Sequence, residues 1–170
     1  MPGTRHPYDR GVTAAVEVAL HVRRRDGRRG RDVLAGLLAP GDHGSASHTG
    51  DLLVLAVCAQ APVGVDVERV VPRRRGLASR LHPREQVALA ATPDDEWDAA
   101  FTGLWTAKEA VLKARGTGLE GGLETFAVVD DEVRHATDGP WALARFSPAA
   151  GVAGCVAVRA AGPVAIIHRP

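Results

Sequence analysis

"DDEWDAAFTGLWTAKEAVLKAR", residues 94–115, is the longest helical pattern in the chain. Phe101, Leu104, Trp105, Val111 and Leu112 recur at helical spacing and form an apolar stripe. Asp94 and Asp95 suit the positive end of such a helix, and Gly116 suits the position just past its last turn. At about 100° per residue, Lys108 falls inside the stripe, while Glu109 and Lys113 fall on its border. A helix facing a core should not carry a lysine there without a reason. Glu109 and Lys113 are four residues apart, in the favourable order for an exposed helix pair worth ~0.2–0.5 kcal/mol. The bland reading is such a pair, with Lys108 laying its stem over apolar surface.

Working outward, the flanking segments read mostly as strands. "LLVLAVC" (52–58), the turn "AQAP" (59–62) and "VGVDVERV" (63–70) form one strand–turn–strand unit. "VTAAVEVALHV" (12–22) fits a strand or a short helix. "GRDVLAGLL" (30–38) reads as helical and ends at Pro40-Gly41, and the polar stretch "DHGSASH" (42–48) reads as a loop. "HPREQVALAA" (82–91) has Pro at a helix start. "LETFAVVD", "WALARFS", "AGCVAVRA" and "PVAIIH" follow as strands between Gly, Pro and Asp turns. A faint repeat relates "AVCAQAPVGVDV", from Ala56, to "AVRAAGPVAIIH", from Ala157, and suggests a pseudo-twofold α+β arrangement. Ile167 stands in the second copy where Asp66 stands in the first.

Composition narrows the class. With 170 residues and 45% apolar content, the chain can bury a substantial core, but aromatics are only 4%, so Val, Leu and Ala must fill it. The net charge of +1 does not point to a nucleic-acid partner. The Arg-dense runs "HVRRRDGRRGR" (21–31) and "VPRRRGLASR" (71–80) read as solvated faces or phosphate-binding patches. Cys58 and Cys155 lie in apolar runs and read as reduced, buried thiols. No apolar run approaches the ~20 residues of a membrane span. "MPGTRHPYDRG" lacks the apolar segment of a signal peptide. A cytoplasmic protein is therefore expected.

The chemistry-bearing residues are few. In "GVDVERV", Val63, Val65 and Val67 alternate with Gly64, Asp66 and Glu68, which places the two carboxylates ~7 Å apart on one face. That face is either the wet side of a strand or an oxygen-lined site for a hard divalent cation such as Mg²⁺. Glu109, on the core-side edge of the long helix, can meet that pair as a third carboxylate. Lys108 or Lys113 would then serve as a point-charge phosphate binder. Carboxylates, Mg²⁺ and Lys together suit transfer chemistry on a pyrophosphate. Ser47, His48 and Thr49 form a further polar cluster, either structural or phosphate-binding. The chain has no G-x-S-x-G elbow, and "RGTGLEGG" follows a helix instead of opening one, so it is no P-loop.

Taken together, "VGVDVERV" and "FTGLWTAKEAVLKARGTGL" resemble the signature pair of the 4′-phosphopantetheinyl transferase superfamily. "SASHTGDLLVLAV" is similar to the Ser-His motif of its Sfp-like branch, and "LHPREQVAL" to the helix start found between the two signatures. The resemblance implies an enzyme that moves the 4′-phosphopantetheine arm of coenzyme A onto a serine of an apo acyl or peptidyl carrier protein. It implies an α+β fold of two lobes, each an antiparallel sheet packed on helices, with an abbreviated N-terminal lobe over 1–62 and the motif-bearing lobe over 63–170. It assigns Asp66, Glu68 and Glu109 to Mg²⁺, and Glu109 also to deprotonation of the carrier serine. Lys113 is assigned to the pyrophosphate, His48 with Ser47 to the 3′-phosphate of coenzyme A, and Arg31 to a coenzyme A phosphate. The late position of Asp66 resembles the pseudo-dimeric branch that works as a monomer. The Gly-Lys-Pro stretch common in that branch is missing, and Thr49 stands where Ser is common. A non-catalytic protein that binds carriers or coenzyme A is the alternative reading.

Overall fold

The structure, a computed structural model, describes residues 14–72, 75–118 and 122–170. The N-terminal stretch read for a signal peptide, Arg73 and Arg74 of the second Arg run, and the middle of "RGTGLEGG" lie outside them. The elements run β1 (Val16–Arg24), α1 (Gly30–Ala35), β2 (His43–Thr49), β3 (Leu52–Cys58) and β4 (Val63–Arg69). A 3₁₀ helix at Arg75–Arg80 leads to α2 (Pro83–Ala90) and α3 (Asp94–Arg115). Strands β5 (Ala127–Val129), β6 (Glu132–Arg134), β7 (Ala142–Phe146), β8 (Val152–Val158) and β9 (Val164–Arg169) complete the chain. The fold is α+β: a four-stranded sheet in the order β2-β3-β1-β9 and a five-stranded sheet in the order β4-β8-β7-β6-β5. Among the described residues, no helix is long and apolar enough to cross a membrane.

Both copies of the sequence repeat are a strand, a turn and a strand that changes sheets. After β3 the chain crosses to place β4 antiparallel beside β8, and after β8 it returns to place β9 parallel beside β1. The sheets face each other over a core of Val18, Leu20, Val54, Val63, Val65, Val67 and Val156, with no buried aromatic ring among its members. As the composition requires, branched aliphatic side chains fill this space. The other face of the first sheet packs Leu53 and Leu55 under Val33 and Leu34 of α1. The second sheet packs Cys155 and Ala157 under Ala107, Val111 and Leu112 of α3. Cys58 and Cys155 are free and buried, and burial pushes the Cys155 thiol up to about 12.

One expectation fails. "DHGSASH" is a strand over most of its length, not a loop. Its polar composition conceals an alternation: Ser45, Ser47 and Thr49 are buried toward β4, while Ala46 packs with the α1 cluster. The Ser45, Ser47 and Thr49 hydroxyls accept hydrogen bonds from the backbone amides of Val65 (3.0 Å), Val67 (3.3 Å) and Arg69 (3.2 Å). The edge strand of one sheet is thus joined to the edge strand of the other through side chains.

The long helix is placed by glycine. A Cβ on Gly64 would run into the carbonyl oxygen of Ala110 and lie 2.6 Å from the amide nitrogen of Ala114. The helix backbone therefore lies directly on β4, which only a residue without a side chain allows. His82 caps α2 in a capping box with Glu85, and Pro83 opens that helix. Gly116 closes α3 in the left-handed conformation, at φ 72°.

Lys108 has a structural role. It is 0% exposed, and its ammonium donates to Glu85 Oε1 at 2.8 Å and to the Phe126 carbonyl. Glu85 Oε1 also accepts from the Val128 amide at 2.7 Å, and its Oε2 from the His82 amide at 2.9 Å. This pair ties α2, α3 and β5 together, away from any phosphate. Desolvation pushes the Lys108 pKa down, against the pull of Glu85.

Two substitutions test this frame by urea denaturation. Gly64→Ala should lower stability by about 1–3 kcal/mol or more through overpacking against backbone. Lys108→Met, which leaves Glu85 charged and unpaired, should cost about 3–5 kcal/mol. A midpoint unchanged from the parent in either case would refute the corresponding contact.

Candidate active site

The seam between β2 and β4 opens into a pocket of about 270 Å³ lined by Ala46, Ser47, His48, Asp66, Glu68, Trp105, Glu109 and Lys113. Six of the seven residues that the family resemblance assigned a role meet here. β2 supplies Ser47 and His48, β4 supplies Asp66 and Glu68, and α3 supplies Glu109 and Lys113. The seventh, Arg31, lines an adjoining cleft of about 430 Å³ with Arg29 and Leu53, and this cleft shares Ala46, Ser47 and His48 with the pocket. Arg29 is a cationic residue that the sequence offered only as part of an Arg-dense run. Elsewhere in that run Arg24 pairs with Asp51 and Arg28 with Asp26 on the open surface, where such pairs contribute little.

Asp66 is the fixed point of the pocket. It is 5% exposed, so its strand face is not a wet side. Its Oδ1 accepts from Ser47 Oγ at 2.7 Å and from Lys113 Nζ at 2.7 Å. Its Oδ2 is buried without a hydrogen-bond partner. Lys113 also donates to the Val65 carbonyl at 3.1 Å, so it reaches across to β4 instead of pairing with Glu109 one turn earlier. The expected i,i+4 pair is replaced by a tertiary contact, because the close approach at Gly64 brings β4 within reach of the Lys113 stem.

Glu109 is half-buried on the opposite wall. Its pKa is raised, first by desolvation and then by the charge of Asp66 and more weakly Glu68, against the opposing pull of Lys113 and Arg80. Repulsion among the three acids would be relieved by a cation. The orphaned Asp66 Oδ2 and an all-carboxylate donor set suit a hard divalent ion. The fit lies in the donors and not in a preformed cage: among the described residues, no three His, Cys, Asp or Glu side chains already form a metal-holding group.

A sequence model of the 4′-phosphopantetheinyl transferase superfamily matches residues 62–153, more than half of the chain and the span of β4, α3 and all three of the pocket's acids. The chain belongs to that superfamily. Within it, the chain sits on the Sfp-like branch. It is 36% identical over 99 residues to 4′-phosphopantetheinyl transferase psf-1 of Bacillus pumilus, a match covering 58% of this chain and 42% of that protein. It is 33% identical over 90 residues to 4′-phosphopantetheinyl transferase Sfp of Bacillus subtilis strain 168, covering 52% and 40%. To 4′-phosphopantetheinyl transferase HetI of a Nostoc species it is 31% identical over 121 residues, covering 68% and 51%. The matches thus span about two-fifths to one-half of the length of these relatives.

The raised pKa of Glu109 makes a prediction for the metal-free protein. A carboxyl with a folded pKa above its ordinary value binds more protons when folded, so stability falls as pH rises from about 4.5 through the raised value. Glu109→Gln should flatten that part of the stability–pH curve, measured by urea denaturation between pH 4 and pH 7. An unchanged slope would show that Glu109 is not the strained acid.

Proposed function

We propose that the chain transfers the 4′-phosphopantetheine arm of coenzyme A to a serine of an apo acyl or peptidyl carrier protein, releasing adenosine 3′,5′-bisphosphate. The observation that carries this reading is the meeting of Asp66, Glu68, Glu109 and Lys113 in one pocket that opens into a cleft edged by Arg29 and Arg31. Asp66, Glu68 and Glu109 would hold Mg²⁺, which when bound would offset negative charge on the pyrophosphate oxygens. The remaining chemistry belongs to the chain. In the transfer, a bond forms between the serine oxygen and the phosphorus bearing the pantetheine. The bridging P–O bond breaks, and its electron pair leaves with the bisphosphate.

Glu109 accepts the serine proton, directly or through a water. Lys113 supplies positive charge to the leaving phosphate. His48 contacts the 3′-phosphate, and Arg29 and Arg31 take the place of the missing Gly-Lys-Pro lysine. Of the β2 pair matched to the 3′-phosphate, His48 is given the contact because the Ser47 proton is held by Asp66. The chain is read as two lobes, over 1–62 and 63–170, and acts as a cytoplasmic monomer.

The test is direct. The protein is incubated with coenzyme A, Mg²⁺ and several apo carriers, and the carriers are weighed by mass spectrometry. A phosphopantetheine adduct on one carrier supports the proposal. Binding of coenzyme A or a carrier with no adduct on any would leave a binding protein. In that assay Asp66→Ala should abolish transfer, whereas His48→Ala should chiefly raise the KM for coenzyme A, since His48 binds and does not react.

A further inference from the structure

We infer that Ser47 is a positioning residue for the Asp66 carboxylate, acting on divalent-cation affinity rather than on coenzyme A. This rests on the reading that Asp66 holds a divalent cation. A serine hydroxyl has one proton to give. In Ser47 that proton goes to Asp66 Oδ1 at 2.7 Å, while Ser47 Oγ accepts from the Val67 amide at 3.3 Å. The residue is 8% exposed, and its oxygen is fixed from both sides. Together with Lys113 it pins one oxygen of the carboxylate and leaves the other, Oδ2, buried and without a hydrogen bond. A carboxylate held this way has its rotation set before any cation arrives. Partners that orient a ligating group in this manner raise its affinity by removing wrong orientations.

The seam contains its own control. Ser45 makes the same bond to β4 as Ser47 does, to the Val65 amide at 3.0 Å, and lies two residues away on the same face of β2. Its hydroxyl is not the one that Asp66 Oδ1 accepts from, and it lines the Arg29–Arg31 cleft and not the pocket of the acids. Ser45→Ala therefore removes one rung of the seam, and Ser47→Ala removes one rung and the carboxylate contact. Thr49 shows that a threonine hydroxyl also serves as a rung, through the Arg69 amide at 3.2 Å.

The experiment titrates the full chain with Mn²⁺ alone by isothermal calorimetry and then measures the KM for coenzyme A. Ser47→Ala should weaken Mn²⁺ binding about 10–100-fold, and Ser47→Thr should recover most of it. Ser45→Ala should keep the parent affinity while lowering Tm, by less than Ser47→Ala does. The KM for coenzyme A at saturating Mn²⁺ should stay at the parent value in Ser47→Ala. A parent that binds no Mn²⁺ overturns the metal reading and this inference together. A parent that binds Mn²⁺, with Ser47→Ala equally tight, overturns this inference alone. A raised KM for coenzyme A with unchanged Mn²⁺ affinity would instead make Ser47 a substrate contact.

Discussion

Three hydroxyls on one edge strand accept from three amides on another, and the candidate active-site pocket exists because of that join. β2 and β4 each end a sheet, and a bare edge would leave the Val65 and Val67 amides buried without partners. Unsatisfied amides in such a place cost about 1–3 kcal/mol each. Backbone pairing would have answered the need by merging the two sheets into one. Side-chain hydroxyls answer it while keeping the strands a side chain apart, and the pocket opens along that seam with Asp66 at its floor.

The same seam decides the electrostatics. Asp66 is buried but receives a hydroxyl and an ammonium, so its charge is supported. Glu109 lies across the pocket, where burial first and then the neighbouring acids raise its pKa. Two successive residues of α3 thus have opposite fates. Lys108 turns inward to a buried partner on α2, and Glu109 turns to the seam. The glycine at position 64 makes both possible, because it lets the helix settle on the strand that carries the other acids.

Much of this was legible in the chain. The strand–turn–strand repeat, the long helix with its caps, and the three acids with Lys113 all carry strong local signals: periodicity, glycine and proline punctuation, and a specific motif pair. What stayed hidden depends on partners far away in sequence. β2 read as a loop because its serines and threonine look like turn residues, and their purpose appears only beside β4. Lys108 looked out of place because Glu85, its partner, sits in a different helix and resembles an ordinary first-turn acid. The Glu109–Lys113 pair was replaced because helix spacing says nothing of a strand packed against the same face. In hindsight, Ser-x-Ser-x-Thr was the available signal for β2, since its hydroxyls recur with strand period.

The exchange of strands between the two sheets bears on how the chain reaches this shape. β1 and β9 stand at opposite ends of the described order of elements, yet they lie side by side. β4 likewise waits for β8. The first sheet cannot be finished until the chain has supplied the whole of the second, so it cannot mature ahead of it as an independent unit does. Contacts so distant in sequence are slow to form and leave edges open in the meantime. During that interval α1 covers Leu53 and Leu55 on one face of the apolar "LLVLAVC" strand, while Val54 and Ala56 on its other face wait for the second sheet.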